Sequence, residues 1–64
     1  MKVWKVKDII KYIESNGWCF VCQKGSHRQF KHSIKQGRVT VPGSLNDDLP
    51  SGTSKSVLKQ AGLE

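Results

Sequence analysis

Apolar residues near the start of the chain recur at the spacing of an α-helix. The positions i, i+3, i+4 and i+7 of one stripe are occupied by Val6, Ile9, Ile10 and Ile13. This spacing predicts a helix from about Lys5 to Ser15 with one apolar face. Asn16 and Gly17 then end the helix, because glycine suits the left-handed conformation that follows many helices.

Three short segments rich in aromatic and β-branched residues follow and predict strands. They are WCFVCQ at 18–23, HRQFKH at 27–32 and RVTVP at 38–42. Turn-forming residues at 24–26 and 35–37 separate the segments. Connections this short favour three antiparallel strands joined in sequence order.

The last segment predicts a loop and a second helix. Residues 43–52 contain two Gly, one Pro, one Asn and two Asp, which is typical of a loop. A helix of about ten residues follows, with Val57, Leu58 and Ala61 on one side and Gly62 as its end. The predicted class is α+β, in the order α-β-β-β-α, with a three-stranded antiparallel sheet. We expect both helices to cover one face of this sheet and leave the other in water.

The second strand predicts which residues lie on the uncovered face. Phe30 is the residue best suited to the core, and side chains alternate along a strand. Arg28 and His32 therefore belong on the side of Phe30. The opposite side receives His27, Gln29 and Lys31. In the first strand Trp18 and Phe20 compete with Val21 for the inside, so its register stays open.

Length and charge narrow the classes of function. A chain of 64 residues buries only about 60% of its unfolded surface, which predicts a single domain over 1–64. Eleven Lys and Arg against five Asp and Glu give a net charge of +6, which favours a nucleic acid or an acidic protein as partner.

No apolar run approaches the roughly 20 residues of a membrane span, and no signal-peptide core follows Met1. We expect a cytosolic protein with no membrane partner.

The cysteines form a lone C-x-x-C motif, Cys19 and Cys22. In a regular strand, residues three apart point to opposite faces, so the two thiols are not expected to share a metal or form a disulfide. His27 and His32, five residues apart on one strand, also point to opposite faces and are not expected to share a metal ion. No second C-x-x-C completes a four-ligand zinc site, so no metal cofactor is expected.

The segment QKGSHRQFKH at 23–32 concentrates the candidate chemistry. An imidazole near neutral pH can accept and return a proton, which RNA cleavage by its own 2′-hydroxyl requires. His27 is the candidate for this transfer. Nearby cations that could hold RNA phosphates are Lys24, Arg28 and Lys31. Gly25 and Ser26 form a turn whose backbone N–H groups can approach a phosphate closely.

The residues alone leave three functions open. One is a slow ribonuclease in which His27 acts with the neighbouring cations. Another is a non-catalytic RNA-binding module, which these residues alone favour because a single histidine in a small basic domain is more often a solvated residue than a catalyst. The third is an adaptor that binds an acidic protein through its basic face.

Five segments in order also resemble a known family. They are NGW at 16–18, QKGSHRQFKH at 23–32, RVTVP at 38–42, DLPSGT at 48–53 and SVLKQAGL at 56–63. The combination resembles the HicA family of toxins, which are mRNA interferases, and it extends over nearly the whole chain.

The resemblance implies a double-stranded-RNA-binding-domain-like fold, metal-independent cleavage of mRNA and neutralisation by a HicB-type antitoxin. The family's catalytic histidine belongs to the G-S-H segment, which corresponds to His27. Two departures are visible. Many relatives have a histidine shortly after the V-T-V-P strand, where this chain has Gly43 and Ser44. Ser54 replaces an apolar residue common in relatives, which predicts a weakly held last helix.

Overall fold

The computed structural model describes residues 3–64 and contains five elements. Their bounds are α1 Val6–Glu14, β1 Trp18–Lys24, β2 His27–His32, β3 Arg38–Val41 and α2 Ser51–Gln60. The three strands form one antiparallel sheet in the order β1-β2-β3. The predicted α+β class and element order are confirmed. Within residues 3–64, neither helix is long and apolar enough to cross a bilayer.

One face of the sheet packs against both helices. Its buried residues are Trp18, Phe30, Val39 and Val41. The helices and the loop before α2 complete the core with Val6, Ile9, Ile13, Leu49, Val57 and Ala61. Each large apolar side chain buried here stabilises the fold by about 1.5–3 kcal/mol. The Trp18 indole N–H also donates to the carbonyl oxygen of Ala61 at 3.2 Å, which ties the start of β1 to the end of α2.

A β-bulge at Val21 interrupts the alternation of β1. Phe20 pairs with Phe30, whereas Cys22 pairs with Gln29, so Val21 has no partner across the sheet. In a bulge, one strand contains an extra residue, and the residues on either side of it remain paired with consecutive residues of the neighbouring strand. The register that the sequence left open is thereby resolved, with Phe20 on the core side and its ring edge-on to Phe30 at 5.9 Å.

The same bulge shows that one prediction from the sequence was wrong, namely that Cys19 and Cys22 point to opposite faces of the sheet. Cys19 pairs with Lys31 and Cys22 with Gln29, and these partners share one face of β2. Both thiols therefore lie on that face. The prediction failed because it assumed a regular strand between the two cysteines, whereas the strand contains a bulge. The two cysteines are free. No three His, Cys, Asp or Glu side chains come together as a metal-binding group anywhere in residues 3–64.

α2 covers the outer edge of β3 as well as the core. The side-chain oxygen of Gln60 accepts the backbone N–H of Thr40 at 3.1 Å, so this edge donor has a partner within the chain. Ser54 is buried, and its hydroxyl donates to the carbonyl oxygen of Ser51 at 3.0 Å. The predicted weakness of this helix stays a prediction, although its buried polar group is satisfied.

Gly17 gives a prediction for stability. Its φ is +96°, and a Cβ there would lie 2.5 Å from Nε2 of His32. Gly17→Ala therefore combines an unfavourable backbone conformation with a steric clash, and we expect it to lower the free energy of unfolding by about 2 kcal/mol or more. Urea denaturation followed by circular dichroism measures this loss.

The matched control is Gly52→Ala in the first turn of α2. A Cβ at Gly52 meets no atom within 4 Å, and its φ is not in the positive range. We expect this variant to keep or slightly increase stability, by at most about 1 kcal/mol. Equal stabilities for the two alanine variants would contradict the close approach of Gly17 to His32.

Candidate nucleic-acid interface

The face of the sheet remote from the helices is here called the open face. The register assigns to it Cys19, Cys22, Lys24, His27, Gln29, Lys31, Arg38 and Thr40. The predicted positions of His27, Gln29 and Lys31 opposite Phe30 are confirmed. Most of these side chains are exposed, so the open face is a polar surface available to a ligand.

The turn between β1 and β2 is short and accessible. Gly25 has a φ of +57°, and no non-glycine residue among 3–64 has a positive φ, so Ser26 does not. This combination fits a type II′ turn, which requires glycine at its first central position. The side-chain amide of Gln23 donates to the Gly25 carbonyl oxygen at 2.8 Å and braces the turn. Because no atom lies within 4 Å of a Cβ built at Gly25, the backbone there is open to a ligand.

His27 begins β2 and lies directly opposite Lys24. Residues paired in this way have Cβ atoms about 5 Å apart, so the ammonium group can reach any anion bound at the imidazole. The imidazole is exposed and makes no hydrogen bond to any other residue of 3–64. Neither ring nitrogen is therefore engaged by the part of the chain that the structure describes.

The other two predicted site cations do not lie beside the His27 imidazole on the open face. Lys31 shares the open face but is four residues along β2, which corresponds to about 13 Å. Arg28 lies on the core side, where its Nη1 donates to the Gly43 carbonyl oxygen at 2.9 Å. The structure thus brings Lys24 and the turn together with His27, and places Arg28 on the opposite face.

The second histidine is occupied by structural contacts. Nδ1 of His32 accepts the backbone N–H groups of Ile34 and Lys35 at 3.0 and 3.1 Å. Nδ1 is therefore unprotonated, and Nε2–H donates to the Asn16 carbonyl oxygen at 3.0 Å. The ring also lies edge-on to Trp18 at 5.3 Å. His32 thus joins the end of α1 to β2 and the following loop, and it has no free nitrogen for catalysis.

Sequence reasoning placed Gln29 on the open face without a role and did not single out Arg38. Nη1 of Arg38 donates to Oε1 of Gln29 at 2.8 Å, across the β2–β3 pair. The sequence signal for this contact is weak, because it appears only when the register of the two strands is known. Gln29 is half-buried, and Arg38 is exposed.

The charges of the sheet have one sign. The strands contain the cations Lys24, Arg28, Lys31 and Arg38 and no Asp or Glu. The acidic residues lie in the helices, loops and terminus, at Asp8, Glu14, Asp47, Asp48 and Glu64. The one ion pair within residues 3–64 joins Lys5 to Asp48 at 3.1 Å, away from the sheet. Lys24, Lys31 and Arg38 lie on the open face, and no Asp or Glu occurs among the strand residues, which favours an anionic ligand.

These features define a small α+β domain with a cationic open sheet face and one exposed histidine. A family model described as "HicA toxin of bacterial toxin-antitoxin" matches residues 6–63, and the chain belongs to that family. The resemblance inferred from the sequence is confirmed. Membership makes the chain the toxin of a toxin–antitoxin system, with an antitoxin as its partner. A search of curated proteins gave no significant match.

The contacts of the two histidines predict that their alanine variants lose very different amounts of stability. His32→Ala removes three hydrogen bonds and the packing on Trp18, and we expect a loss of about 2–3 kcal/mol in the free energy of unfolding. His27→Ala is the matched control and should change this quantity by less than about 0.5 kcal/mol. Urea denaturation of both variants tests the difference. A His32→Ala variant as stable as His27→Ala would show that the loop contacts contribute nothing.

Proposed function

We propose that the chain is a metal-independent endoribonuclease that cleaves mRNA in the cytoplasm and is neutralised by a HicB-type antitoxin. The observation that carries this proposal is the exposed His27, which has no hydrogen-bond partner within residues 3–64 and lies beside Lys24 and an open turn. Membership in a toxin family supports it. A cationic face without carboxylates suits a polyanionic substrate.

RNA would bind along the open face. The ammonium group of Lys24 and the backbone N–H groups at Gly25 and Ser26 would contact the scissile phosphate next to His27. Lys31 would contact the RNA farther along β2. Arg28 already donates one N–H to Gly43, so only its remaining guanidinium donors at the end of the sheet could reach RNA.

His27 would act as the general base. Its neutral imidazole takes the proton of the 2′-hydroxyl, and the 2′-oxygen attacks the adjacent phosphorus. The negative charge of the phosphorane is stabilised by Lys24 and the turn. The bond to the 5′-oxygen then breaks, and this oxygen receives a proton from the imidazolium or from water. The products are a 2′,3′-cyclic phosphate and a 5′-hydroxyl. Because the substrate supplies the nucleophile, the reaction needs no metal-activated water.

One observation favours a second candidate function. His32, the other histidine, points away from His27, so no second imidazole can protonate the leaving oxygen. A non-catalytic RNA-binding module of the same fold would need no such group. Cleavage and binding therefore have to be measured separately.

His27→Ala tests the catalytic assignment. We expect it to lower the rate of RNA cleavage by about 10²- to 10⁴-fold, the usual contribution of general acid–base catalysis, while the folded domain still binds RNA. The assay uses end-labelled RNA in EDTA, with product ends identified as 2′,3′-cyclic phosphate.

Undiminished cleavage by folded His27→Ala would refute the assignment, and a requirement for added zinc or magnesium would refute the metal-free mechanism. RNA binding by the wild type without any cleavage would favour the RNA-binding module. Binding that is independent of salt concentration, or no binding at all, would favour an adaptor for an acidic protein.

The antitoxin should compete with RNA. We expect a HicB-type antitoxin to present an acidic surface to Lys24, His27 and Lys31, with association that slows as ionic strength rises. Titrating RNA into the toxin–antitoxin complex, and antitoxin into RNA-bound His27→Ala, measures displacement in both directions. A ternary complex in which His27 stays open to chemical modification would place inhibition at another surface.

A further inference from the structure

We infer that Gln29 and Arg38, with Lys31, form a second phosphate subsite on the open face, one nucleotide from the phosphate held beside His27. The inference rests on the proposed function in taking RNA as the ligand. It assigns a role to two residues that the proposed reaction does not use.

The hydrogen bond between Gln29 and Arg38 uses the only side-chain acceptor of the pair, so the groups left for a ligand are all hydrogen-bond donors. Oε1 of Gln29 accepts from Nη1 of Arg38 at 2.8 Å, so the acceptor of the amide is already used. The amide NH₂ of Gln29 and the other guanidinium N–H groups of Arg38 have no partner within residues 3–64. Phosphate oxygens only accept hydrogen bonds, and a planar guanidinium matches them in geometry.

The charges at this position are unfavourable without an anion. Lys31 lies directly opposite Arg38 in the β2–β3 pair, and both are exposed cations. Like charges directly opposite each other destabilise a sheet. No carboxylate of the strands compensates them. The contact with Gln29 holds the Arg38 guanidinium toward the middle of the sheet, where a phosphate between the two cations would neutralise them.

The spacing along β2 fits consecutive phosphates. Gln29 follows His27 by two residues on the same face, which corresponds to about 7 Å, comparable to the separation of neighbouring phosphates in an extended RNA strand. RNA leaving His27 along β2 would therefore bring its next phosphate to Gln29 and Arg38. The two subsites together would fix the path of the RNA across the sheet as well as its affinity.

Substrates with one and two phosphates test the inference. A dinucleotide carries only the scissile phosphate, whereas trinucleotides extended on the 5′ or the 3′ side carry a second one. We expect the wild type to cleave one of the trinucleotides with a kcat/KM about tenfold above that of the dinucleotide. Arg38→Thr and Gln29→Thr should reduce this ratio to near one, and the double variant should lose no more than either single variant.

Lys11→Gln is the matched control, since it removes one exposed positive charge from α1 and keeps a helix-forming residue. It should retain the wild-type ratio. Threonine preserves strand propensity in both test variants. Gln29→Thr changes no charge, so this variant alone tests the subsite if Arg38→Thr does not fold. A wild-type ratio in folded Gln29→Thr, or an equal loss in Lys11→Gln, would overturn the subsite.

Binding separates failure of the subsite from failure of the proposed function. If the wild type cleaves no RNA, the endoribonuclease proposal fails, but the subsite can still be measured in the His27→Ala background. Arg38→Thr should then reduce the slope of log K against log salt for a single-stranded oligoribonucleotide by about 0.7, the value of one lost phosphate contact. Lys11→Gln should leave the slope unchanged. The same slope in both variants would refute the second subsite.

Discussion

The arrangement of the molecule depends on one constraint, that the buried apolar side chains of the sheet all lie on one face. Trp18, Phe30, Val39 and Val41 point to the same side, so both helices must pack there to be buried. The opposite face is left in water, and it carries one cation from each strand, Lys24, Lys31 and Arg38, with no carboxylate from the strands. The alternation of side chains along each strand therefore separates the packed core from the polar open face.

The two histidines illustrate how much this alternation decides. His27 and His32 occur in the same strand, five residues apart, and therefore lie on opposite faces. His32 packs beside Trp18 and uses both ring nitrogens to hold neighbouring backbone, whereas His27 bonds to no other residue of 3–64. The same side chain thus serves stability in one position and is free for chemistry in the other. The charge of the open face adds the ligand preference that a lone imidazole lacks.

Much of this arrangement could be predicted from residue patterns. The apolar stripe of α1, the three β-rich segments and the single suitable core residue of β2, Phe30, were enough for the fold class and the position of His27. The bulge at Val21 was not predictable, because nothing in WCFVCQ marks which residue lacks a partner. The contacts of Arg28 with Gly43 and of Arg38 with Gln29 depend on tertiary approach and strand register, which a one-dimensional pattern does not contain.

The hydrogen bond from Thr40 to Gln60 also bears on self-association. An open sheet has two edge strands, and the unpaired backbone groups of an edge strand are a template to which strands of other molecules can add. At β3 an incoming strand would have to displace the Gln60 side chain before it could pair with the Thr40 N–H. At β1 the bulge at Val21 breaks the regular row of backbone groups that such a strand would need. A small domain that leaves a whole sheet face uncovered is thereby protected against strand addition at both edges of the sheet.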